Sequence, residues 1–266
     1  MSYKLIALDM DGTLLTKDKK VTPKTQEAMR TAIDKGFIVT LCTGRPLQGL
    51  YEYLYLITPD APVVTYNGGV VLTSKSCRVL FSKTLEAPAA VETVRRGLER
   101  GAVIIVWADG KLYVSEDSEF TEKYARLSGS KKQLLGEKQY LTIARQGITK
   151  IIWMDKPEKI NEHIQHVEIN PVYGTRAVTS APSLLEFMDE SASKAEGLKI
   201  IAEYYGLDSS EIIAVGDNYN DLDMLRYAGL GAAMGNAPEE IKSAVDYVTL
   251  SNEEDGVAAV IKKFLL

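Results

Sequence analysis

Residues 5–15 read "LIALDMDGTLL", an apolar run that ends in two aspartates one residue apart, Asp9 and Asp11, followed by Gly12. Four apolar residues with Ile and Leu have the pattern of a strand buried on both faces. Successive strand residues alternate faces, which sets Asp9 and Asp11 on one side and Met10 on the other. Carboxylates that close force one of the pair to protonate unless a positive charge lies between them. A divalent cation meets that need. A plain Asp-Gly turn is the competing reading of this stretch.

A second acidic group, "GDNYND" at 216–221, supplies Asp217, Asn220 and Asp221. By itself it also reads as a turn and helix cap. Together the two stretches bring four carboxylates to one crevice, which needs a cation; an all-oxygen set suits Mg²⁺. Ser193 and Glu196 have the spacing of a capping box, which places Lys194 in the first turn of a helix. A cation there opposes the helix dipole by about 0.3–1 kcal/mol. A bound anion such as phosphate removes the conflict, and a tolerated surface charge is the plain alternative. The Thr43 hydroxyl and the Gly44 amide add donors, with Gly44 allowing close approach. Mg²⁺, a lysine and an amide nest around a carboxylate make a site for phosphoryl transfer to that carboxylate.

The elements that must position these groups follow a parallel α/β rhythm. "TPKTQEAMRTAIDKG" has Thr22 as N-cap, Pro23 in the first turn and Gly36 closing the helix. The runs "FIVTLC" and "PVVTY" stop at "TGRP" and "NGG", so each strand ends in polar or glycine-rich residues. "VVL" and "RVLF" read as a hairpin leaving the sheet. In open parallel sheets ligands bind beyond the carboxyl ends of the strands, where all these candidates stand. The expectation is a doubly wound parallel sheet, Rossmann-like, in two segments, 1–83 and 189–266. Between them, 84–188 is expected to form an inserted α/β cap domain rich in hairpins, with a turn at Asp109-Gly110 and a helix near Ser118–Leu127. The polar stretch from there to Gly147 has no readable period.

At 266 residues, with a net charge of −5, the chain has a composition ordinary for a globular protein. That charge gives no reason to expect nucleic acid or an anionic membrane as partner. The N-terminal apolar run breaks at Asp9, so it is no signal peptide, and the expectation is a cytoplasmic protein. Cys42 and Cys77 have neither a metal spacing nor a disulfide framework, and Cys42 reads as a small core residue. "GLGAAMG" at 229–235 imitates a dinucleotide fingerprint but reads better as a close-packed strand. His163 and His166 fall on a polar helix and read as a solvated face. Asp223 suits its own helix N-terminus. Arg45 and Asn67 lie at strand ends, where a substrate contact and a packing or turn role are equal readings.

With "DMDGTLL", "TGRP", "YNG", "GDNYNDLDML" and "GAAMGNA" in this order, the sequence resembles the haloacid dehalogenase superfamily of phosphotransferases. Within it, the sequence looks like the Cof-type phosphatases, and it is similar to bacterial sugar-phosphate phosphatases of that group. Between 84 and 188 the likeness is one of size and layout. The resemblance implies Asp9 as nucleophile and Asp11 as general acid/base. It implies Mg²⁺ held by Asp9, the Asp11 backbone carbonyl and Asp217, with Asp221 behind them. Met10 amide, Thr43, Gly44, Lys194 and Asn220 would hold the phosphate of a small phosphorylated metabolite, and no protein partner is implied. The family usually has Gly after the lysine, where this chain has Ala195.

Two other readings use the same residues. A phosphomutase would form the same aspartyl phosphate and return the phosphoryl group to substrate. A non-catalytic phospho-receiver module also combines acidic residues, Mg²⁺, Thr and Lys, but its lysine follows every acidic motif in chain order. Here Asp217 comes after Lys194, which argues against it.

Overall fold

The structure is a computed structural model describing residues 3–136 and 138–266. Its first segment contains β1 (Leu5–Leu8), α1 (Pro23–Asp34), β2 (Ile38–Leu41), β3 (Pro62–Thr65), β4 (Val70–Thr73) and β5 (Val79–Ser82). There follow α2 (Ala87–Glu99), β6 (Val103–Ala108), β7 (Lys111–Val114), α3 (Glu119–Leu127), β8 (Lys132–Leu134), α4 (Gln139–Gln146), β9 (Lys150–Met154), α5 (Pro157–Ile169), β10 (Thr175–Ala181) and β11 (Leu184–Asp189). The last segment contains α6 (Lys194–Tyr205), β12 (Ile212–Gly216), α7 (Leu222–Tyr227), β13 (Leu230–Ala233), α8 (Glu239–Lys242), β14 (Tyr247–Val248) and α9 (Gly256–Phe264). By compactness the chain divides into two units. One comprises Met1–Gly44, Leu50–Phe81 and Ser193–Leu266, and the other Arg45–Gly49 and Ser82–Ala192.

The first unit is built on a parallel sheet in the order β14-β13-β12-β1-β2. Both faces of its central strands are covered: Leu5, Ala7, Ile212 and Ala214 on one side, and Ile6, Leu8, Ile213 and Val215 on the other, all have 0% exposure. That is why these strands read as unbroken apolar runs. Helices α6 and α7 pack Leu198, Ile201, Met224 and Leu225 into the first of those faces. Strand β3 departs from the expected order. It pairs along its length with β4, antiparallel, and meets the parallel sheet by a single bridge between Cys42 and Val64. Cys42 is core, and burial pushes its thiol up to about 12. The glycine-rich "GLGAAMG" contains β13, packed so closely that a Cβ at Gly231 would stand 2.2 Å from the Leu225 carbonyl oxygen.

The second unit has a six-stranded mixed sheet in the order β10-β11-β9-β6-β7-β8. Its core joins Ala90 and Val94 of α2, Ile143 and Ala144 of α4 and Ile160 and Val167 of α5 to Ile104, Val106, Ile151, Trp153 and Phe187 of the sheet. The stretch before Gly147 that showed no period contains β8 and α4, apart from residue 137, which lies outside the described residues. An eight-residue helix carries too few apolar positions to show a period. His163 corrects an expectation: it is 2% exposed, not solvated. It shares the inward face of α5 with Ile160 and Val167, one turn away on either side. Arg100 Nε donates to its Nδ1 at 3.0 Å, and its Nε2 meets Asp155 Oδ2 at 3.2 Å.

Candidate active site

The order β12-β1-β2 brings the carboxyl ends of three strands side by side. Asp9 follows β1 directly, with its N–H donating to the Val215 carbonyl at 2.9 Å. From the neighbouring segment α6 delivers Lys194, whose side chain has 0% exposure. Its Nζ donates to Asp9 Oδ1 at 2.6 Å and to Asp221 Oδ1 at 2.5 Å. The lysine is therefore no surface charge: two carboxylates offset its clash with the helix dipole. Ser193 caps α6 by accepting from Glu196 N–H at 3.1 Å, while the Glu196 carboxylate pairs with Lys199 rather than completing a capping box. Ala195, where the family usually has Gly, is buried. The close approach of α6 to β3 is instead allowed by Gly197, where a Cβ would stand 2.6 Å from Val64 Cγ1.

Asp221 is fully buried, and its second oxygen accepts from the N–H groups of Asp217 and Asn218, both at 2.9 Å. It thus shapes the loop that presents Asp217. Thr13 Oγ1 donates to Asp217 Oδ1 at 2.8 Å. One oxygen from each of Asp9, Asp217 and Asp221 lies within 4.8 Å of the others. Three carboxylates then face one ammonium. Burial, and next the charge of Asp221, raise the Asp9 carboxyl well above the usual range. Burial and Asp221 likewise lift Asp217 to about 6. Burial works against the charge on Lys194, but Asp221 and Asp9 outweigh it and hold the ammonium above its ordinary pKa. Protons are what such a site retains when no further cation neutralises it. All-oxygen donors with a charge deficit fit a hard divalent ion such as Mg²⁺.

Asp11 stands at the edge of this cluster, and its charge is among those that raise Asp217. The strand ends at Leu8, so facing residues no longer alternate beyond it, and the Asp11 carboxylate is 41% exposed, 2.7 Å from Lys19 Nζ. Met10, between Asp9 and Asp11, is buried.

Beyond β2, Thr43 is buried and its N–H donates to the Val64 carbonyl at 2.9 Å. Its own carbonyl accepts from Asn67 N–H at 3.0 Å. The Asn67 Oδ1 accepts from Asn220 Nδ2 at 3.1 Å and sits 2.9 Å from where a Cβ on Gly44 would be. Thr43, Gly44 and Asn220 thus meet around Asn67. Residue patterning missed the parts played by Thr13 and Lys19, and it left Asn67 open between a substrate contact and a packing or turn role. Thr13 is a small polar residue after a turn, with nothing in its neighbours to foretell a bond to a carboxylate 204 positions away. For Asn67 a signal existed: an asparagine before two glycines suits the left-handed backbone it adopts.

The family model of haloacid dehalogenase-like hydrolase matches residues 6–261. The protein YxeH of Bacillus subtilis is 33% identical over 273 residues, with 99% of each chain covered. The 5-amino-6-(5-phospho-D-ribitylamino)uracil phosphatase YitU of the same organism is 29% identical over 272 residues, covering 98% of this chain and 97% of that one. Among solved structures, a haloacid dehalogenase-like hydrolase from B. subtilis superposes with a TM-score of 0.87 at 28% identity, covering 98% of this chain and all of the other. The chain belongs to the haloacid dehalogenase-like hydrolases and is a phosphatase of the Cof type.

Proposed function

We propose that this phosphatase hydrolyses small phosphorylated metabolites, sugar phosphates above all, through an aspartyl phosphate on Asp9 with Mg²⁺ as cofactor. The observation that carries the proposal is Lys194, buried and bonded at once to Asp9 and Asp221 beside the Asp217 carboxylate. This holds the Asp9 carboxylate in a fixed orientation at a strand end, as a nucleophile requires. Asp9 attacks phosphorus, and the bond to the leaving alkoxide breaks as Asp11 gives that oxygen a proton. Asp11 then takes a proton from a water that attacks the phosphoryl group and frees Asp9. Its pair with Lys19 is exposed on both sides and of the kind worth about 0.2–1 kcal/mol, too little to lock the carboxylate. Thr43, the Gly44 and Met10 amides, Lys194 and Asn220 bind the phosphate oxygens. Asp9, Asp217 and the Asp11 carbonyl would hold Mg²⁺, with Asp221 supporting, and the ion supplies charge to the phosphoryl oxygens.

The substrate for which YitU is named carries a phosphorylated ribityl chain, which supports a polyol-like leaving group. Residues 84–188 we assign to a cap that selects that group. The test is phosphate release across sugar phosphates, ribityl phosphates, nucleotides and pyridoxal phosphate, with and without chelator, and with Asp9→Asn as control. Sugar and ribityl phosphates should lead, and only with metal. Isomerised substrate without free phosphate would identify a mutase instead.

A further inference from the structure

After β3 the chain passes through three left-handed residues in succession: Tyr66 (φ 51°), Asn67 (φ 54°) and Gly68 (φ 102°). Such backbone is unfavourable for a tyrosine and persists where surrounding contacts over-determine it. Two contacts do so here. Asn67 N–H donates to the Thr43 carbonyl at 3.0 Å. Gly68 lies so close to the cap of α6 that a Cβ would stand 2.0 Å from the Ser193 carbonyl oxygen. The buried Asn67 amide then accepts from Asn220 Nδ2 at 3.1 Å and closes the space over Gly44. One residue thus ties the loop after β2 to the loop after β12, while the next abuts the helix that carries Lys194.

We propose that Asn67 is a positioning residue for phosphate binding: it fixes the Asn220 amide with its nitrogen, not its oxygen, toward the phosphate. The inference rests on the phosphate-binding role proposed above for Asn220. A side-chain amide is a donor at one end and an acceptor at the other, and turning it over presents a carbonyl oxygen to an anion. With one Nδ2 hydrogen given to Asn67 Oδ1, the second remains for phosphate. With the Asn67 amide in this orientation, turning Asn220 over sets two carbonyl oxygens against each other and is disfavoured.

The experiment measures inhibition by inorganic phosphate of activated-ester hydrolysis, with Mg²⁺ present. The proteins are the wild type, Asn67→Gly, Asn220→Ala and the double variant. Glycine keeps the left-handed backbone and removes only the side chain. Asn220→Ala should raise the inhibition constant about tenfold, as loss of a hydrogen bond to a charged group does. Asn67→Gly should raise it about fivefold, by the same bond weakened rather than lost. The double variant should be no worse than Asn220→Ala alone, because the two residues act through one bond. Additive effects, or an unchanged constant in Asn67→Gly, overturn the positioning role and leave that of Asn220 standing. An unchanged constant in Asn220→Ala overturns both. Should the glycine variant be unfolded by circular dichroism, Asn67→Ser takes its place in the same cycle. A merely structural loop would lower the melting temperature in both backgrounds without cancelling in the phosphate constant.

Discussion

A Cβ at Gly12 would stand 2.3 Å from Asp217 Oδ2. The backbone just past Asp11 and the carboxylate just past β12 are pressed together with no room for a methyl, and Gly12 has φ +87° besides. Gly12→Ala is therefore expected to displace Asp217. A misplacement of about 1 Å at a reacting centre costs on the order of a hundredfold in rate. The check is kcat across a Mg²⁺ titration on a variant shown to be folded. Wild-type half-saturation would refute the steric argument.

Thr13 holds the other oxygen of the same carboxylate. Thr13→Val keeps the volume and loses the hydroxyl. Supporting bonds of this kind are worth about 10- to 100-fold in metal affinity. Half-saturation by Mg²⁺ should rise about tenfold, with kcat at saturating metal much less affected. Equal Mg²⁺ titration curves for the two proteins would show that Thr13 does not orient Asp217.

The raised carboxyls predict how stability responds to pH. Asp217 moves from an ordinary 3.8 to about 6 in the folded protein. Between those values the folded chain binds more protons than the unfolded one. Its contribution is fully present below 3.8 and is lost as pH rises through 6. Mg²⁺ needs the ionised form, so its stabilising effect should be small at pH 5 and large at pH 7.5. At a hundredfold excess over its dissociation constant, the melting temperature should rise by about 5 °C at the higher pH. Thermal melts with Mg²⁺ and with chelator measure this. Equal shifts at both pH values would mean that protons and metal do not compete for these carboxylates.

The roles proposed for Asp9 and Asp11 separate by leaving group. A nitrophenolate leaves without a proton, whereas a sugar alkoxide needs one; proton transfer is worth about 10²–10⁴-fold. Asp11→Asn should react with p-nitrophenyl phosphate in a burst, leaving a phosphate adduct on Asp9 that hydrolyses slowly. Sugar phosphates should barely react with it. Intact mass after mixing decides: an adduct on Asp9→Asn would overturn the nucleophile, and full steady-state turnover by Asp11→Asn would remove the proton-transfer role.

What sequence patterning revealed depended on whether a residue stands at the end of a regular element. The parallel sheet was legible because its central strands are apolar throughout, and Asp9, Asp217 and Lys194 were legible because each sits at a strand end or helix start. Asp11 lies past the end of the strand at Leu8, where alternation no longer says which way a side chain turns. The burial of Lys194 depends on Asp9, 185 positions away, and no pattern along α6 encodes that partner. His163 was misread by counting its polar neighbours in the chain rather than Ile160 and Val167 on its own face. The link from Asn67 to Asn220 crosses 153 positions and rests on two side chains alone.

The pairing of β1 with β12 has a consequence for how the protein is made. β1 emerges from a ribosome well before β12, its partner on one side, which follows only after the whole of 82–192 has been translated. Until then the nascent chain carries a strand edge of Leu5, Ile6, Ala7 and Leu8 with nothing along it, an open template for wrong pairing. Folding of the intervening segment into its own unit shortens the effective loop that must close. Ribosome-arrested chains that expose residues up to about 190 should accordingly be cut by protease within residues 5–80, or captured there by a chaperone. Chains that expose β12 should be protected. Equal protection in both would mean that β1 finds a stable place without its long-range neighbour.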